Sequence, residues 1–250
     1  MSATGGPRSV LITGSSRGIG FGVAQRLAQQ GFALTIAGRD ERRLAAAAQI
    51  LLDEPNVGGV AWLAGDVTDD QYVTELVALH RGRYGSLDAL VVNAGVGSAG
   101  RLADFHPKRF DKQIAINLRS AFIVIQQAMP LLYAAALTSD HGAKVIAMAS
   151  ITGRYAQADL AAYGAAKAGL MSLCRSINLE ENANGIQATA LAPGYVDTDM
   201  ADFKHDVLPA GDMIPVGDVV ELVDTCLRLS RRSVVPEVVI ARAGTCALMA

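Results

Sequence analysis

Tyr163 and Lys167 lie one helical turn apart in a segment with helical periodicity. An ammonium so placed stabilises a phenolate, which lowers the phenol's ordinary pKa of about 10 and makes the tyrosine a candidate proton donor. Ser150 ends an apolar run that predicts a strand, and its hydroxyl can hydrogen-bond an oxygen atom. Together the three side chains could protonate and orient a carbonyl oxygen that gains negative charge. Taken singly, Tyr163 could be a core residue, Lys167 a surface residue and Ser150 the cap of the next turn.

A glycine-rich turn follows the first predicted strand and leads into a predicted helix over residues 21–30, with Gly31 as its stop. Glycines let the backbone approach a pyrophosphate, which the N–H groups and the positive end of the helix dipole attract. The G-x-x-x-G-x-G spacing differs from the commoner G-x-G-x-x-G, and such a turn alone could be only a tight turn. Its place after the first strand favours a dinucleotide site formed by Gly14, Ser16, Arg17, Gly18, Ile19 and Gly20.

The residues at the end of the second predicted strand indicate whether the nucleotide carries a hydroxyl or a phosphate at its 2′ position. Gly38 stands where an NAD site usually has a carboxylate, and Arg39 follows it. Arg17 in the glycine turn could share a 2′-phosphate with Arg39 through charge-assisted hydrogen bonds. The sequence therefore favours NADP(H) over NAD(H), with Arg39 as a solvated surface residue being the alternative.

The next two strand ends add further candidates for cofactor binding. Thr68 and Gln71 have the spacing of a capping box, which would leave Asp66, beside Val67, to accept a hydrogen bond from an adenine amino group. A local Asx-turn at Asp66 is the alternative. After the fourth strand, a ribose could approach the backbone at Asn93, Ala94 and Gly95.

Seven short apolar runs alternate with segments of helical period, which predicts an α/β fold with a doubly wound parallel sheet, a Rossmann fold, as a single domain over residues 1–250. In such a sheet ligands bind at the carboxyl ends of the strands, where these candidates cluster. The predicted strands are 9–13, 33–37, 59–64, 89–93, 143–149, 187–191 and 237–241.

Composition disfavours several classes of partner. Half of the 250 residues (51 %) are apolar and the net charge is −2, which gives no field for nucleic acid or an anionic membrane. The uncharged stretch 120–139 is interrupted by Gln126, Gln127 and Pro130, so we expect a buried or interface helix and no membrane span. Three separated cysteines and no export signal predict a cytoplasmic protein, and four isolated histidines predict positions on surfaces or loops and no metal site.

As a set, these motifs resemble the compact subclass of the short-chain dehydrogenase/reductase family, in the family's order and over residues 8–241. The resemblance implies an NAD(P)-binding domain that reversibly reduces a carbonyl to an alcohol. It further implies that Asn117 holds a water linking Lys167 to solvent, that Tyr163 and Lys167 contact the cofactor, and that the nicotinamide end is held by Pro193, Gly194, Val196 and Thr198. The ending Ala241-Arg242-Ala243-Gly244 departs from the family's Val-Asp-Gly-Gly, which weakens inferences about contacts through the C-terminus.

We therefore expect an NADP(H)-dependent enzyme acting on a small carbonyl or alcohol. The turn around Arg17 makes a 3-oxoacyl thioester reductase the most similar specific activity, and a catalytically silent NAD(P)-binding sensor or scaffold is the alternative. Residues 199–215 are expected to form a substrate lid or, alternatively, an ordinary mobile loop; its apolar contacts would be Phe203, Leu208 and Met213.

The helices expected over 110–137 and 160–182 carry more apolar residues than one core-facing stripe needs. Such an excess predicts a homodimer or homotetramer, because part of each helix surface would meet another subunit. The residues that suggest it are Phe122, Ile123, Ile125, Leu170 and Met171.

Overall fold

The computed structural model describes residues 6–202 and 208–245. Its centre is a seven-stranded sheet in the order β3-β2-β1-β4-β5-β6-β7, and every neighbouring pair is parallel. The predicted Rossmann fold is confirmed, and each strand lies within two residues of its predicted bounds. The strands are β1 Ser9–Thr13, β2 Ala33–Gly38, β3 Gly59–Ala64, β4 Ala89–Val92, β5 Ala143–Met148, β6 Ile186–Pro193 and β7 Glu237–Ile240.

Helices cover both faces of the sheet. One apolar core lies between the sheet and α3, α5 and α7, and the other lies between the sheet and α1, α2 and α8. A five-residue π-helix, Ala115–Arg119, joins α4 to α5. The helices are α1 Gly18–Gln29, α2 Glu41–Leu52, α3 Asp70–Tyr84, α4 Pro107–Ile114, α5 Ser120–Ala136, α6 Ile151–Arg154, α7 Ala161–Glu181 and α8 Val216–Arg228.

The chain reverses its direction across the sheet between β1 and β4. It first runs outward from β1 to β3 and then returns to place β4 on the other side of β1. The connections after β1 and β4 therefore diverge and leave a crevice at their carboxyl ends, which is where doubly wound sheets bind ligands.

The start of α3 differs from the predicted capping box. Asp69 is the N-cap, and its side chain accepts a hydrogen bond from the Gln71 backbone N–H. Asp66 Oδ1 accepts bonds from the Thr68 backbone N–H at 2.9 Å and from the Thr68 hydroxyl at 2.8 Å. The Asx-turn that spacing left as the alternative is thus formed, because a carboxylate two residues before an amide reaches it without distortion.

The prediction that the histidines lie on surfaces or loops is wrong for His80, which lies in α3 and is fully buried. Its Nε2 donates to the Ser86 carbonyl at 3.0 Å, so its Nδ1 accepts from the Thr35 hydroxyl at 2.8 Å. Ser9 Oγ lies 3.3 Å from Nε2 and itself donates to the Ser86 carbonyl. Burial lowers the pKa of His80 to about 4, which keeps the ring neutral.

A second buried polar group lies at the amino end of the sheet. Lys144, at the start of β5, donates to Gln187 Oε1 at 2.6 Å and to the Ser230 carbonyl at 3.4 Å. Burial lowers the pKa of Lys144 to about 8. Asp88 Oδ2 accepts a bond from the Ser9 backbone N–H at 2.8 Å, which ties β1 to the start of β4.

Three of the residues expected at a subunit interface lie in the chain's own core, because Ile125, Leu170 and Met171 pack between the sheet and its helices. Phe122, by contrast, is 47 % exposed. Further large apolar side chains are exposed on the same helices or at their ends, namely Phe110, Tyr133, Leu137 and Leu179. The helical run Pro107–Ala136 is long and apolar enough to cross a membrane by length and composition alone, but much of α5 packs in the core described above.

Candidate active site

The turn between β1 and α1 requires its glycines. A Cβ on Gly14 would lie 2.8 Å from the Ala94 Cα, and one on Gly20 would lie 2.5 Å from Asn93 Nδ2. Gly14 and Gly18 also have positive φ angles of 65° and 57°. Asn93 Nδ2 donates to the Thr13 and Gly14 carbonyls at 3.1 and 2.8 Å, which holds the turn against the end of β4.

The beginning of α1 is prepared for an anion. Within the described residues its N-cap, Arg17, offers no side-chain acceptor to the first N–H groups, and its first turn holds no acidic residue. The neighbouring helices α2 and α3 are capped by Asp40 and Asp69 and carry an acid in the first turn. The uncapped N–H groups and the dipole of α1 therefore remain available to a phosphate.

A larger cavity of about 580 Å³ opens at the carboxyl ends of β1 to β4. It is wide enough to hold a dinucleotide's adenosine half and its phosphates. Most residues predicted to bind the cofactor line it: Gly14, Ser16, Arg17, Gly18, Ile19, Arg39, Asp66, Val67, Asn93, Ala94, Gly95 and Thr198.

Guanidinium groups surround one side of the larger cavity. Arg39 lines it, as does Arg43, which the sequence reasoning treated only as part of a charged helix start. Arg43 Nε lies 3.5 Å from Asp40 Oδ2, and the N-cap role of Asp40 brings Arg43 to this edge. Arg17 also lines the cavity, but its guanidinium forms an ion pair with Asp199.

Asp66 also lines the larger cavity. Its pKa lies below the usual range, chiefly because the Thr68 backbone N–H bonds to it, with smaller contributions from the Thr68 hydroxyl and from the charge of Arg39. The carboxylate is therefore ionised near neutral pH and acts as an acceptor.

A smaller cavity of about 150 Å³ adjoins the larger one, and Ile19, Asn93, Gly95, Thr198 and Met200 line both. The three residues singled out for proton chemistry all line the smaller cavity, together with all four of those expected at the nicotinamide end. These lining residues are Ser150, Tyr163, Lys167, Pro193, Gly194, Val196 and Thr198.

Lys167 is buried and lies beside the ring of Tyr163. Its Nζ is 5.6 Å from the ring centroid and donates to the Met148 carbonyl at 2.7 Å. Burial lowers the pKa of Lys167 to about 8. Burial raises the pKa of Tyr163 to about 12, against a hydrogen bond with Ser150 that lowers it. The lowered phenol pKa expected from spacing alone is thus wrong for this structure, because desolvation outweighs the hydrogen bond with Ser150 that lowers it.

Ser150 serves both of the roles that the sequence left open. It is the N-cap of α6, where its Oγ accepts from the Thr152 backbone N–H at 3.3 Å and from the Thr152 hydroxyl at 3.0 Å. The same hydroxyl faces the smaller cavity and lies 3.5 Å from the Pro193 carbonyl. Its bond with Tyr163 brings two hydroxyls to one place in that cavity.

Asn117 lies in the π-helix and is buried. Its side-chain amide makes two bonds with the Val96 backbone: Oδ1 accepts from the Val96 N–H at 3.0 Å and Nδ2 donates to the Val96 carbonyl at 2.9 Å. A Cβ on Gly95 would be 2.9 Å from Asn117 Oδ1 and 3.5 Å from Lys167 Nζ, so only glycine fits between them. The side chain of Asn117 therefore holds the loop after β4.

The segment after β6 borders both cavities. Val196 pairs with Ile214, and the Asp197 N–H donates to the Ile214 carbonyl at 2.9 Å, so the two ends of segment 197–213 lie side by side. Met200 and Ala201 of this segment line the smaller cavity. Of the contacts expected for a lid, Met213 is buried elsewhere, Leu208 does not line either cavity and Phe203 lies outside the described residues.

Metal chemistry finds no support in residues 6–202 and 208–245, where His, Cys, Asp and Glu side chains form no group of three suited to a metal ion. The described histidines are instead separated, as His80 in its buried network shows.

The sequence profile of short chain dehydrogenases matches residues 8–207, and the chain belongs to that family. It is 33 % identical over 204 residues to the 3-oxoacyl-(acyl-carrier-protein) reductase MabA of Mycobacterium avium, an alignment covering 82 % of this chain and 73 % of that protein. It is 34 % identical over 205 residues to the corresponding reductase FabG of Staphylococcus aureus, covering 80 % and 79 %. The chain is therefore an oxidoreductase of this family, whose members bind NAD(P).

Solved structures agree with the fold. An alcohol dehydrogenase from the archaeon Thermococcus sibiricus, complexed with 5-hydroxy-NADP, superimposes with a TM-score of 0.84 at 26 % identity, covering 95 % of this chain and 97 % of that one. Levodione reductase superimposes with a TM-score of 0.83 at 25 % identity, covering 95 % and 96 %. The glycine turn that tolerates no Cβ and the uncapped start of α1 fit a bound dinucleotide.

Proposed function

We propose that this protein is an NADP(H)-dependent oxidoreductase that interconverts a carbonyl and a secondary alcohol. The observation that carries the proposal is the convergence of Ser150, Tyr163 and Lys167 on the smaller cavity, where it opens into the larger one. A catalytically silent sensor would have no need to keep a phenol, an ammonium and a hydroxyl at the junction of the two cavities.

Each side chain has a distinct task in the proposed reaction. The nicotinamide supplies or accepts the hydride. Ser150 donates a hydrogen bond that orients the carbonyl oxygen, and Tyr163 transfers its proton to that oxygen as negative charge develops. Lys167 is placed to contact the nicotinamide ribose and to favour the phenolate after proton transfer. Asn117 keeps the loop after β4 in position, and its backbone carbonyl is the group we assign to a water that returns protons to Lys167.

The remaining cofactor contacts follow from the position of each residue. The glycine turn and the start of α1 would hold the pyrophosphate, and Asp66 and Val67 would border the adenine. Asn93, Ala94 and Gly95 would border the ribose. The nicotinamide end would rest against Pro193, Gly194, Val196 and Thr198, four residues at the mouth of the smaller cavity.

The preference for NADP(H) is supported by the charge at the edge of the larger cavity. Gly38 leaves space where a carboxylate would meet the ribose hydroxyls, and Arg39 and Arg43 offer guanidinium groups. A 2′-phosphate would form charge-assisted hydrogen bonds with them. The similar archaeal alcohol dehydrogenase that was solved with 5-hydroxy-NADP is consistent with this choice.

The proposal also covers the substrate class, the segment that closes over the substrate and the location of the enzyme in the cell. The similarity to MabA and FabG favours a 3-oxoacyl thioester among the carbonyl substrates. Segment 199–215 would act as a lid, since Met200 and Ala201 already border the smaller cavity. We place the enzyme in the cytoplasm.

The test follows NADPH and NADH absorbance with a panel of ketones, quinones, sugars and 3-oxoacyl thioesters. The proposal predicts turnover of at least one carbonyl class and a higher kcat/KM with NADPH. Binding of NADPH without turnover across the panel would instead favour the sensor. Equal efficiency with both cofactors would contradict the assignment of Arg39.

We further propose a homodimer or homotetramer formed through α4, α5 and α7. The exposed side chains of Phe122, Tyr133 and Leu179 would be covered there. Light scattering at micromolar concentration should give at least twice the 26.1 kDa of one chain, and a species of 26.1 kDa would contradict assembly.

A further inference from the structure

Three side chains spaced four residues apart hold the loop after β4. Arg109 donates to the Ala99 carbonyl at 3.1 Å, Gln113 donates to the Ser98 carbonyl at 3.2 Å, and Asn117 bonds the Val96 backbone. Residues at this spacing share one helix face, so together they form a row that fixes loop 96–99. We call Arg109, Gln113 and Asn117 the loop-holding row.

Gln113 does more than its neighbours in this row. Its Nε2 also donates to the Ser98 hydroxyl at 2.9 Å, so both hydrogen bonds of this amide nitrogen go to Ser98. Gln113 is 1 % exposed, and among the described residues its Oε1 has no hydrogen-bond partner. The Ser98 carbonyl can only accept, which rules out exchanging the amide's nitrogen and oxygen. A buried oxygen without a hydrogen-bond partner destabilises the folded protein, and a shorter apolar side chain at position 113 would remove that penalty. The bond between Gln113 and the Ser98 hydroxyl therefore indicates a functional role.

Ser98 is one of the residues that line the smaller cavity. The other serine and threonine hydroxyls there have acceptors in the protein: Thr152 donates to Ser150, Thr198 to the Val196 carbonyl, and Ser150 itself bonds Pro193 or Tyr163. For Ser98, whose Oγ accepts from Gln113, the described residues supply no acceptor for the proton. The hydroxyl proton of Ser98 therefore has no acceptor within the described residues.

The neighbouring residue keeps the path to the reacting atoms open. A Cβ on Gly97 would lie 4.0 Å from Tyr163 Cε2, so the loop passes close to the phenol ring without filling the space. The cavity volume of about 150 Å³ is enough for a benzene-sized molecule. Among its described lining residues, Lys167 is the single charged side chain. These features suit a compact, neutral molecule.

We infer that Ser98, held by Gln113, is a substrate-binding residue that donates a hydrogen bond to a second, neutral acceptor group of the carbonyl substrate. The substrate class would be diketones, keto esters, keto thioesters and hydroxyketones, in preference to simple ketones. This inference rests on the proposed carbonyl reduction, and it makes Gln113 a positioning residue that acts through Ser98.

The test compares matched substrates with NADPH: cyclohexane-1,4-dione against cyclohexanone, and ethyl 3-oxobutanoate against 2-heptanone. The wild-type protein should have the higher kcat/KM for the member with two acceptors. Ser98→Ala should lower that kcat/KM by roughly fivefold, the value of one neutral hydrogen bond, and change the simple ketone by less than about twofold. Gln113→Met should produce the same selective loss.

Arg109→Met is the matched control, because Arg109 holds the same loop without touching the Ser98 hydroxyl. It should change both members of a pair by the same factor. If Ser98→Ala or Gln113→Met also changes both members equally, the two residues only support the loop and the inference is overturned. If the wild-type protein reduces none of the four compounds and no other carbonyl, the proposed function fails, and this inference with it.

Discussion

At the carboxyl end of the sheet, Ser150, Tyr163 and Lys167 face a cavity, whereas toward the amino end Thr35 and His80 face each other. Both groups are buried and polar, and both have pKa values moved far from their usual ranges. They differ in where their hydrogen bonds go. Both ring nitrogens of His80 form hydrogen bonds with protein atoms, whereas the hydroxyls of Ser150 and Tyr163 meet at the cavity wall.

The comparison shows that burial and a shifted pKa do not by themselves mark a catalytic site. A shifted pKa follows from desolvation in either place. Catalysis also needs a space beside the group and a hydrogen-bonding direction left for a ligand. The carboxyl end provides both, together with the uncapped start of α1.

The largest expected effect separates two tyrosines. Tyr163→Phe keeps the ring but removes the proton donor, so kcat should fall by about 10²- to 10³-fold while NADPH binding persists. Tyr84→Phe removes a hydroxyl that donates to the Leu34 carbonyl at 3.0 Å, far from the cavity. It should leave kcat unchanged and lower the free energy of unfolding by about 1 kcal/mol. Steady-state kinetics and urea unfolding measure both, and normal turnover in Tyr163→Phe would remove this residue from the mechanism.

The second prediction concerns acid stability. The neutral His80 ring is favoured in the folded state, since its pKa falls from 6.5 to about 4. The unfolded chain therefore binds more protons between these values, and the free energy of unfolding should fall as pH drops from 6.5 to 4, by about 3 kcal/mol from this group. Stability from His80 is complete above pH 6.5.

His80→Leu isolates that contribution from the carboxylates that titrate in the same range. At pH 7 the variant should be less stable by about 2 kcal/mol, because Thr35 and the Ser86 carbonyl lose their partner. Its unfolding free energy should vary less with pH than that of the wild-type protein. Equal pH dependence of the two proteins in urea unfolding would show that His80 is not the responsible group.

A third prediction tests the cofactor edge. Arg39→Asp should lower kcat/KM with NADPH about tenfold or more, since charge-assisted bonds to the 2′-phosphate are lost, and should improve use of NADH. Arg42→Asp makes the same charge change on α2 but does not line the larger cavity. It should alter the NADPH to NADH ratio by less than about twofold. Equal shifts in the two variants would indicate a general charge effect only.

The smallest effect is expected at Lys144. Replacement by Met removes a buried ammonium whose pKa is lowered to about 8, and also its bond to Gln187. Because the desolvation cost and the lost hydrogen bond oppose each other, the free energy of unfolding at pH 7 should change by less than about 1 kcal/mol. A loss of 3 kcal/mol or more in urea unfolding would show that the amino end depends on this cation.

Much of the fold was predictable because its signals are local. Runs such as Val91-Val92 are apolar on both faces, which only a doubly covered parallel strand needs. The glycine turn and the Tyr163–Lys167 pair likewise lie within a few residues of chain, so their spacing carries the geometry. Gly14, Gly18, Tyr163 and Lys167 do line the two cavities, whereas Gly20 lines neither.

The parts that failed depend on distant partners. The His80 ring accepts a hydrogen bond from Thr35 and lies 3.3 Å from Ser9, and these residues are 45 and 71 positions away in the chain, so nothing near His80 in the sequence indicates them. The spacing of Thr68 and Gln71 predicted a capping box, whereas the backbone path places Asp69 at the N-cap of α3. Ile125 could not be assigned to core or interface from its helix alone, because the choice depends on which neighbours cover that face.

The pairing of Val196 with Ile214 means that segment 197–213 could vary in length or sequence while its two ends stay in place. Its two ends are fixed side by side, and doubling the length of such a loop adds only about 0.6 kcal/mol of closure entropy. Insertions or deletions within it would therefore leave β6 and α8 in place. Since Met200 brings this segment to the smaller cavity, evolution could change the accepted substrate there while the proton-transferring groups on α6 and α7 stay constant.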